Sequence, residues 1–221
     1  MENALVIGAS GGIGSALVAA LDARDVAVTA LSRSSDSFDV TDEASVEDAL
    51  GALAGPFDLI FVATGALELD GQGPEKSLRQ VTPANMAAQF ALNCIGPSVV
   101  MKHSVRLMPR DRVCRFAALS ARVGSIGDNG FGGWYSYRTA KAALNQMIHT
   151  GAIELARTHA QSICVALHPG TVQTSLTAKY AKGHPTVAPQ EAAQNLLAVL
   201  DGLTPDDTGL FFDWKGERVP W

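Results

Sequence analysis

Tyr137 and Lys141 stand four residues apart in Tyr-Arg-Thr-Ala-Lys, ahead of Ala142-Ala143-Leu144-Asn145. In a helix, positions i and i+4 share a face, so a phenol and an ammonium would project into the same space. A free tyrosine keeps its proton up to a pH of about 10. A neighbouring cation favours the phenolate and eases proton exchange. Such a phenol can protonate an oxygen as hydride reaches the attached carbon, or remove the proton in the reverse reaction. Exposed amphipathic helices also carry Tyr and Lys at this spacing, so the pair draws its meaning from what accompanies it.

A second chemistry-bearing segment lies near the N-terminus. The strand-like Ala4-Leu5-Val6-Ile7 runs into Gly8-Ala9-Ser10-Gly11-Gly12-Ile13-Gly14 and then directly into a helical pattern. Glycines permit a sharp turn and close approach to a pyrophosphate, and the following helix start offers free N–H groups to the anion. The spacing Gly8-x-x-x-Gly12-x-Gly14 and the spacing Gly8-x-x-Gly11-x-x-Gly14 both fit dinucleotide loops, and the glycines alone do not choose between them. The next apolar run ends in Leu31-Ser32-Arg33 rather than in an acidic residue. Ser32 and Arg33 suit a 2′-phosphate, which favours NADP(H), with NAD(H) the alternative. Asp39 and Val40 follow at a distance suited to the adenine ring and its amino group.

These segments must be held by a common scaffold. Short apolar runs alternate with helical stretches along the whole chain, the pattern of an α/β parallel sheet. Strands are expected at Leu5–Gly8, Val26–Leu31, Leu59–Ala63, Val113–Leu119, Ile163–His168 and Leu210–Asp213, with an edge strand near Phe38–Val40. Helices are expected at Ile13–Ala23, Glu43–Leu53, Pro83–Leu107, Tyr137–His159 and Gln190–Leu200. The resulting architecture is a single-domain, doubly wound parallel sheet of about seven strands with helices on both faces, spanning residues 1–221. Its strand carboxyl ends form one rim, and both motifs lie there.

Composition narrows the function classes. Hydrophobic residues make up 47% of the 221, charged residues 18%, and the formal charge is -5 with no basic block. That balance argues for a well-buried core and against a nucleic-acid partner. There is no apolar run of membrane-spanning length and no basic-flanked leader, so neither a membrane partner nor secretion is expected. Cys94, Cys114 and Cys164 are odd in number and widely spaced, which fits reduced thiols and a cytoplasmic location. His103, His149 and His159 lack metal-ligand spacing, and no metal is expected.

Taken in order, the glycine loop, Asn93, the Tyr-x-x-x-Lys pair and His168-Pro169-Gly170 resemble the short-chain dehydrogenase/reductase family. The block Gly124-Ser125-Ile126-Gly127-Asp128-Asn129, with Gly132-Gly133-Trp134-Tyr135-Ser136-Tyr137-Arg138, is similar to its C-factor-like and sniffer-type carbonyl reductase subgroup. The tail Gly209-Leu210-Phe211-Phe212-Asp213-Trp214 to Pro220-Trp221 resembles the C-factor-like ends. The resemblance implies a Rossmann fold and hydride transfer between a nicotinamide and a carbonyl or secondary alcohol. It assigns Tyr137 and Lys141 to proton transfer and Asn93 to a helix that holds a water on the proton path. It also implies that Pro169, Gly170, Thr171, Val172 and Thr174 seat the nicotinamide carboxamide. A small carbonyl or alcohol substrate and a homodimer or homotetramer follow from the same likeness, as does a substrate lid near residues 175–188. Trp134 and Tyr135 could line the substrate pocket, with Lys179, Tyr180 and His184 reaching from the lid.

Two departures stand out. Where the family has Asn-Asn-Ala-Gly, this chain reads Val62-Ala63-Thr64-Gly65. The glycine that lets the backbone pass the adenosine is kept, so Ala63, Thr64 and Gly65 remain expected cofactor contacts. The family's strand-five motif Ser-Ser-x-x-Gly reads Ser120-Ala121-Arg122-Val123-Gly124, with alanine at the position of the reactive serine. Ser120 is the expected substitute and Ser125 the alternative, although strand alternation turns Ser120 away from the place Ala121 occupies. Losing one such donor costs roughly 10²–10³ in rate rather than all activity. Ala121 and the C-factor likeness also suit a second reading, a signalling or regulatory protein that binds the dinucleotide with little turnover.

Overall fold

The computed structural model describes residues 1–174, 177, 179–180 and 185–221. Six parallel strands form its sheet: β1 (Asn3–Ile7), β2 (Ala27–Leu31), β3 (Leu59–Val62), β4 (Cys114–Leu119), β5 (Ser162–His168) and β6 (Phe211–Asp213). They lie in the order β2-β1-β3-β4-β5-β6. The direction of winding reverses at β1, between β2 and β3, which is where a parallel sheet opens a crevice at its carboxyl ends.

The helices are α1 (Gly12–Asp22), α2 (Arg33–Asp36), α3 (Glu43–Gly51), α4 (Pro83–Phe90), α5 (Gly96–Ser104), α6 (Tyr135–Leu155) and α7 (Pro189–Gly202). Strand alternation sends successive side chains to opposite faces, and each face has its own core. Leu5, Ile7, Ile60, Val62, Phe116 and Ala118 pack with Leu50, Val100, Leu144 and Ile148 from α3, α5 and α6. Val6, Leu59, Phe61, Ala117 and Leu167 pack with Leu17, Leu21, Leu196 and Leu200 from α1 and α7. Each fully buried large side chain of this kind contributes roughly 1.5–3 kcal/mol.

Two expectations are corrected. Phe38–Val40 forms no strand, so the sheet has six strands among the described residues rather than seven. Phe38 and Val40 are buried in the core on the α3/α5 face, and that packing, not strand pairing, explains their apolar character. The expected helix Pro83–Leu107 is interrupted by a π-helical turn over Ala91–Ile95. Such turns widen a helix locally and recur at functional sites; this one carries Asn93.

Candidate functional site

The catalytic candidates meet at the carboxyl rim beside α6. Tyr137 and Lys141 occupy its first two turns and are 8% and 2% exposed. The Lys141 ammonium lies 5.9 Å from the centre of the Tyr137 ring and donates to the Leu119 carbonyl at 2.8 Å, the last residue of β4. Gly65, just beyond β3, faces the same point with φ +149°. A Cβ there would come 2.8 Å from Asn93 Oδ1 and 3.3 Å from Lys141 Nζ, so only glycine lets this backbone run between them. Asn93 is wholly buried; its Oδ1 accepts from Ala66 N and its Nδ2 donates to Ala66 O and Gln89 Oε1. Asn93, Gly65, Lys141 and Tyr137 are thus brought together.

Burial dominates the electrostatics. It pushes the Tyr137 phenol well above its ordinary value, and it pulls Lys141 from 10.5 down to about 7. The expected acidification of Tyr137 belongs to the oxidised complex, where a positive nicotinamide ring joins the Lys141 ammonium; in the free protein burial dominates. The ammonium is directed at the Leu119 carbonyl and the desolvation of the ring outweighs its field. The phenol is therefore held protonated at neutral pH, ready to donate.

Neither serine stands free for a substrate oxygen. Ser120 is 4% exposed, and its hydroxyl donates to Asn145 Oδ1 at 2.6 Å. Asn145 lies one turn beyond Lys141, so Ser120 is engaged down the helix from Tyr137. The Ser125 hydroxyl donates to the Pro220 carbonyl, and Gly127 N donates to the Trp221 carbonyl, which pins the C-terminal tail to this loop. Trp134 closes one wall, edge-on to Tyr137 at 6.4 Å and to Tyr180 at 5.6 Å. Tyr135 is half-buried beside it. From the expected lid, Lys179 and Tyr180 both donate to Glu68, and His184 lies outside the described residues.

The glycine loop has the form a pyrophosphate needs. A Cβ on Gly14 would fall 2.1 Å from Gly8 O, so the turn closes only with glycine. Ser10, Gly11 and Gly12 are exposed, Ile13 is half-buried, and the N-cap Gly11 offers no side chain to the α1 amides. The first α1 amides therefore have no side-chain cap, which leaves them available to an anion. A Cβ on Gly12 would strike Thr174 Cγ2 at 2.7 Å, so this loop and the Pro169–Thr174 segment meet across the rim. Val172 is 2% exposed and bridges to Val187, while Gly170 sits against the Trp214 ring. Next to Ala63, the Thr64 hydroxyl is buried without a protein partner, a polar atom left for a ligand or water.

At the end of β2, Arg33 is exposed, whereas Ser32 is buried. The Ser32 hydroxyl accepts from Ser35 N at 3.2 Å, and Ser32 N donates to Asp36 Oδ2 at 2.9 Å. Ser32 therefore caps α2, and Asp36 brings a carboxylate to the place expected for a 2′-phosphate. Asp39 accepts from Thr41 N and Thr41 Oγ1, which lowers its carboxyl below the ordinary range. Val40 is buried and packs both its side chain and its carbonyl oxygen against Gly96. Among the described residues no cluster of His, Cys, Asp or Glu could hold a metal ion.

Sequence reasoning missed three polar residues. Asn145 was legible as the next member of the Tyr137–Lys141 stripe. Gln89 stands four residues before Asn93 on the same helix face. Glu75 is 3% exposed and binds the start of α6; nothing in Gly73-Pro74-Glu75-Lys76-Ser77 signals that.

The family model described as short chain dehydrogenase matches residues 2–185. C-signal of Myxococcus xanthus is 33% identical over 173 residues, covering 78% of this chain and 98% of that protein. The 1-hydroxy-2-glutathionyl-2-methyl-3-butene dehydrogenase of Rhodococcus sp. is 30% identical over 236 residues, covering all of both chains. The fold is similar to an NADPH-bound carbonyl reductase from chicken fatty liver, with TM-score 0.87, 23% identity and coverage of 100% and 99%. It is also similar to the carbonyl reductase Sniffer of D. melanogaster, with TM-score 0.81, 18% identity and full coverage of both. On the family match and these two relatives, the chain belongs to the short chain dehydrogenase family.

Proposed function

We propose that this protein is an NADP(H)-dependent carbonyl reductase acting on a small carbonyl or secondary alcohol. The observation that carries the proposal is the buried convergence of Tyr137, Lys141, Asn93 and Gly65 beside an open, uncapped glycine loop. The relatives' names point the same way: a dehydrogenase among the sequence relatives and an NADPH-bound carbonyl reductase among similar structures.

The Ser10 and Gly12 amides, with those of Ile13 and Gly14, would hold the pyrophosphate, while Gly11 N closes the turn on Gly8 O at 3.0 Å; Arg33 would hold the 2′-phosphate. Thr64 and Gly65 would border the adenosine side. Pro169, Gly170, Val172 and Thr174 would seat the nicotinamide, which supplies or takes up hydride when bound. Tyr137 gives its proton to the carbonyl oxygen as the carbon is reduced. Lys141 returns a proton to the phenolate, and Asn93 holds the water that reconnects Lys141 to solvent. In the free protein the phenol keeps its proton at neutral pH, so the donor form is the one populated.

Ala121 supplies no second donor to the substrate oxygen, and Ser120 acts through Asn145 on the helix rather than on substrate. The missing donor costs rate and leaves the Tyr–Lys chemistry in place. Residues 1–221 are read as one dinucleotide-binding unit; of the expected substrate lid near 175–188, residues 175, 176, 178 and 181–184 lie outside the described residues. The exposed Ile95, Met147 and Ile153 on the α4–α5 and α6 surfaces suit association into a homodimer or homotetramer. No described helix is long and apolar enough to cross a membrane. Three buried free cysteines support a cytoplasmic setting.

The test is NADPH oxidation with quinones, isatins and diketones, compared with NADH at equal concentration. Turnover with NADPH above NADH is the expected result. Tight NADPH binding with no turnover on any substrate would favour the regulatory reading that Ala121 and the likeness to C-signal suggest.

A further inference from the structure

On the α4 side of the site, Asn85, Gln89 and Asn93 recur at spacings of four residues and share one helix face. Each turns toward the loop that follows β3. Asn93 holds Ala66, Gln89 Nε2 donates to the Leu67 carbonyl at 3.1 Å, and Asn85 Nδ2 donates to Glu75 Oε1 at 2.7 Å. Glu75 continues the chain of contacts into α6. Its Oε2 accepts from Ser136 N at 3.1 Å, its Oε1 accepts from the Ser136 hydroxyl, and its carbonyl accepts from Trp134 N at 2.6 Å. Ser136 is wholly buried and directly precedes Tyr137.

Every partner of the Glu75 carboxylate is a donor. A buried carboxylate is costly unless its oxygens are filled, and here they are. A glutamine would turn its NH₂ toward Asn85 and the Ser136 hydroxyl, which keep their bonds only by flipping the amide and rotating the hydroxyl, and it gives up the charge that strengthens all of them. Those bonds also outweigh burial, and the Glu75 carboxyl stays below its ordinary range.

We infer that Glu75 is a positioning residue for the reaction proposed above. Its carboxylate clamps the start of α6 to α4 and thereby fixes the Tyr137 hydroxyl relative to Asn93 and Lys141. Glu75 touches none of the reacting atoms and acts through Ser136 and Asn85. A small error in such placement costs rate far more than binding, because the acid must meet the oxygen at hydrogen-bond distance in the transition state.

The inference rests on the proposed reductase activity, and the experiment separates the two. E75Q is compared with wild type for kcat, KM, NADPH Kd by fluorescence quenching, and thermal midpoint. The expected result is a 10- to 100-fold fall in kcat with KM and NADPH Kd within about threefold. The exchanged pair E75Q/N85D restores a carboxylate–amide contact with donor and acceptor reversed, and it is expected to recover kcat to within about fivefold of wild type. Should E75Q not fold, S136A removes one donor alone and is expected to lower kcat several-fold at unchanged NADPH Kd. Wild-type kcat in E75Q or S136A would overturn the clamp, as would an exchanged pair that regains thermal stability without regaining kcat. Absence of NADPH turnover in the wild type would instead overturn the reductase reading.

Discussion

Replacing Lys141 by methionine is expected to stabilise the free protein at neutral and acidic pH while removing its turnover. Lys141 is 2% exposed, among Gly65, Asn93, Cys94 and the Leu119 carbonyl, and burial lowers its proton affinity from 10.5 to about 7. At about 1.36 kcal/mol per pH unit, that fall corresponds to a folding penalty of roughly 5 kcal/mol. The unfolded chain binds this proton more tightly than the folded one, so the penalty is full below about pH 7. It fades as pH rises toward the unfolded value of 10.5, and stability from this group grows over that window. Methionine removes the penalty but strips Leu119 O of its donor, which costs about 1–3 kcal/mol. The net gain is therefore roughly 2–4 kcal/mol at pH 6. It shrinks to nothing or reverses by pH 10. Urea unfolding of both proteins at pH 6, 7.5, 9 and 10 measures the difference, in which groups common to both cancel. A Lys141→Met difference independent of pH, or a loss of stability at pH 6, would refute the account of Lys141 as a buried, destabilised cation.

Two further outcomes follow from the same geometry. Gly65→Ala is expected to push Asn93 Oδ1 and Lys141 Nζ aside, because the new Cβ would lie 2.8 Å and 3.3 Å from them. Its kcat should fall at least roughly tenfold with a loss of about 1–3 kcal/mol from strain, read from steady-state kinetics and a thermal melt. Asp36→Asn removes the carboxylate that holds Ser32 N at 2.9 Å. It should tighten NADPH several-fold and leave NADH nearly unchanged in fluorescence titrations, whereas equal changes for both would contradict a 2′-phosphate contact at Ser32 and Arg33.

Much of the scaffold was legible because its strands are largely apolar and its helices periodic. Ile60-Phe61-Val62 and Ala4-Leu5-Val6-Ile7 are buried on both sides, which is what a central parallel strand requires. Phe38-Asp39-Val40 alternates as a half-buried edge strand would, yet its apolar residues fill the core from a loop. A three-residue pattern does not distinguish those cases. The break in Pro83–Leu107 was equally hidden, because a single π-helical turn with i→i+5 bonds is too short to disturb the helical pattern on either side of it. In the site, Tyr137, Lys141, Gly14 and Gly65 were legible since each residue type is demanded by its place. Strand alternation already turned Ser120 away from the Ala121 place, but its pairing with Asn145, on another element, was not legible. Glu75 was invisible for the same reason: its role is created by Ser136 and Asn85, which the fold brings to it from other elements.

The direct measurement of the central claim is Tyr137→Phe assayed for both NADPH binding and NADPH oxidation on one protein sample. Loss of the hydroxyl should leave NADPH Kd within about threefold and reduce kcat by at least roughly 10³, since the proton donor to the substrate oxygen is gone. A Tyr137→Phe protein that oxidises NADPH with substrate at near wild-type rate would contradict it.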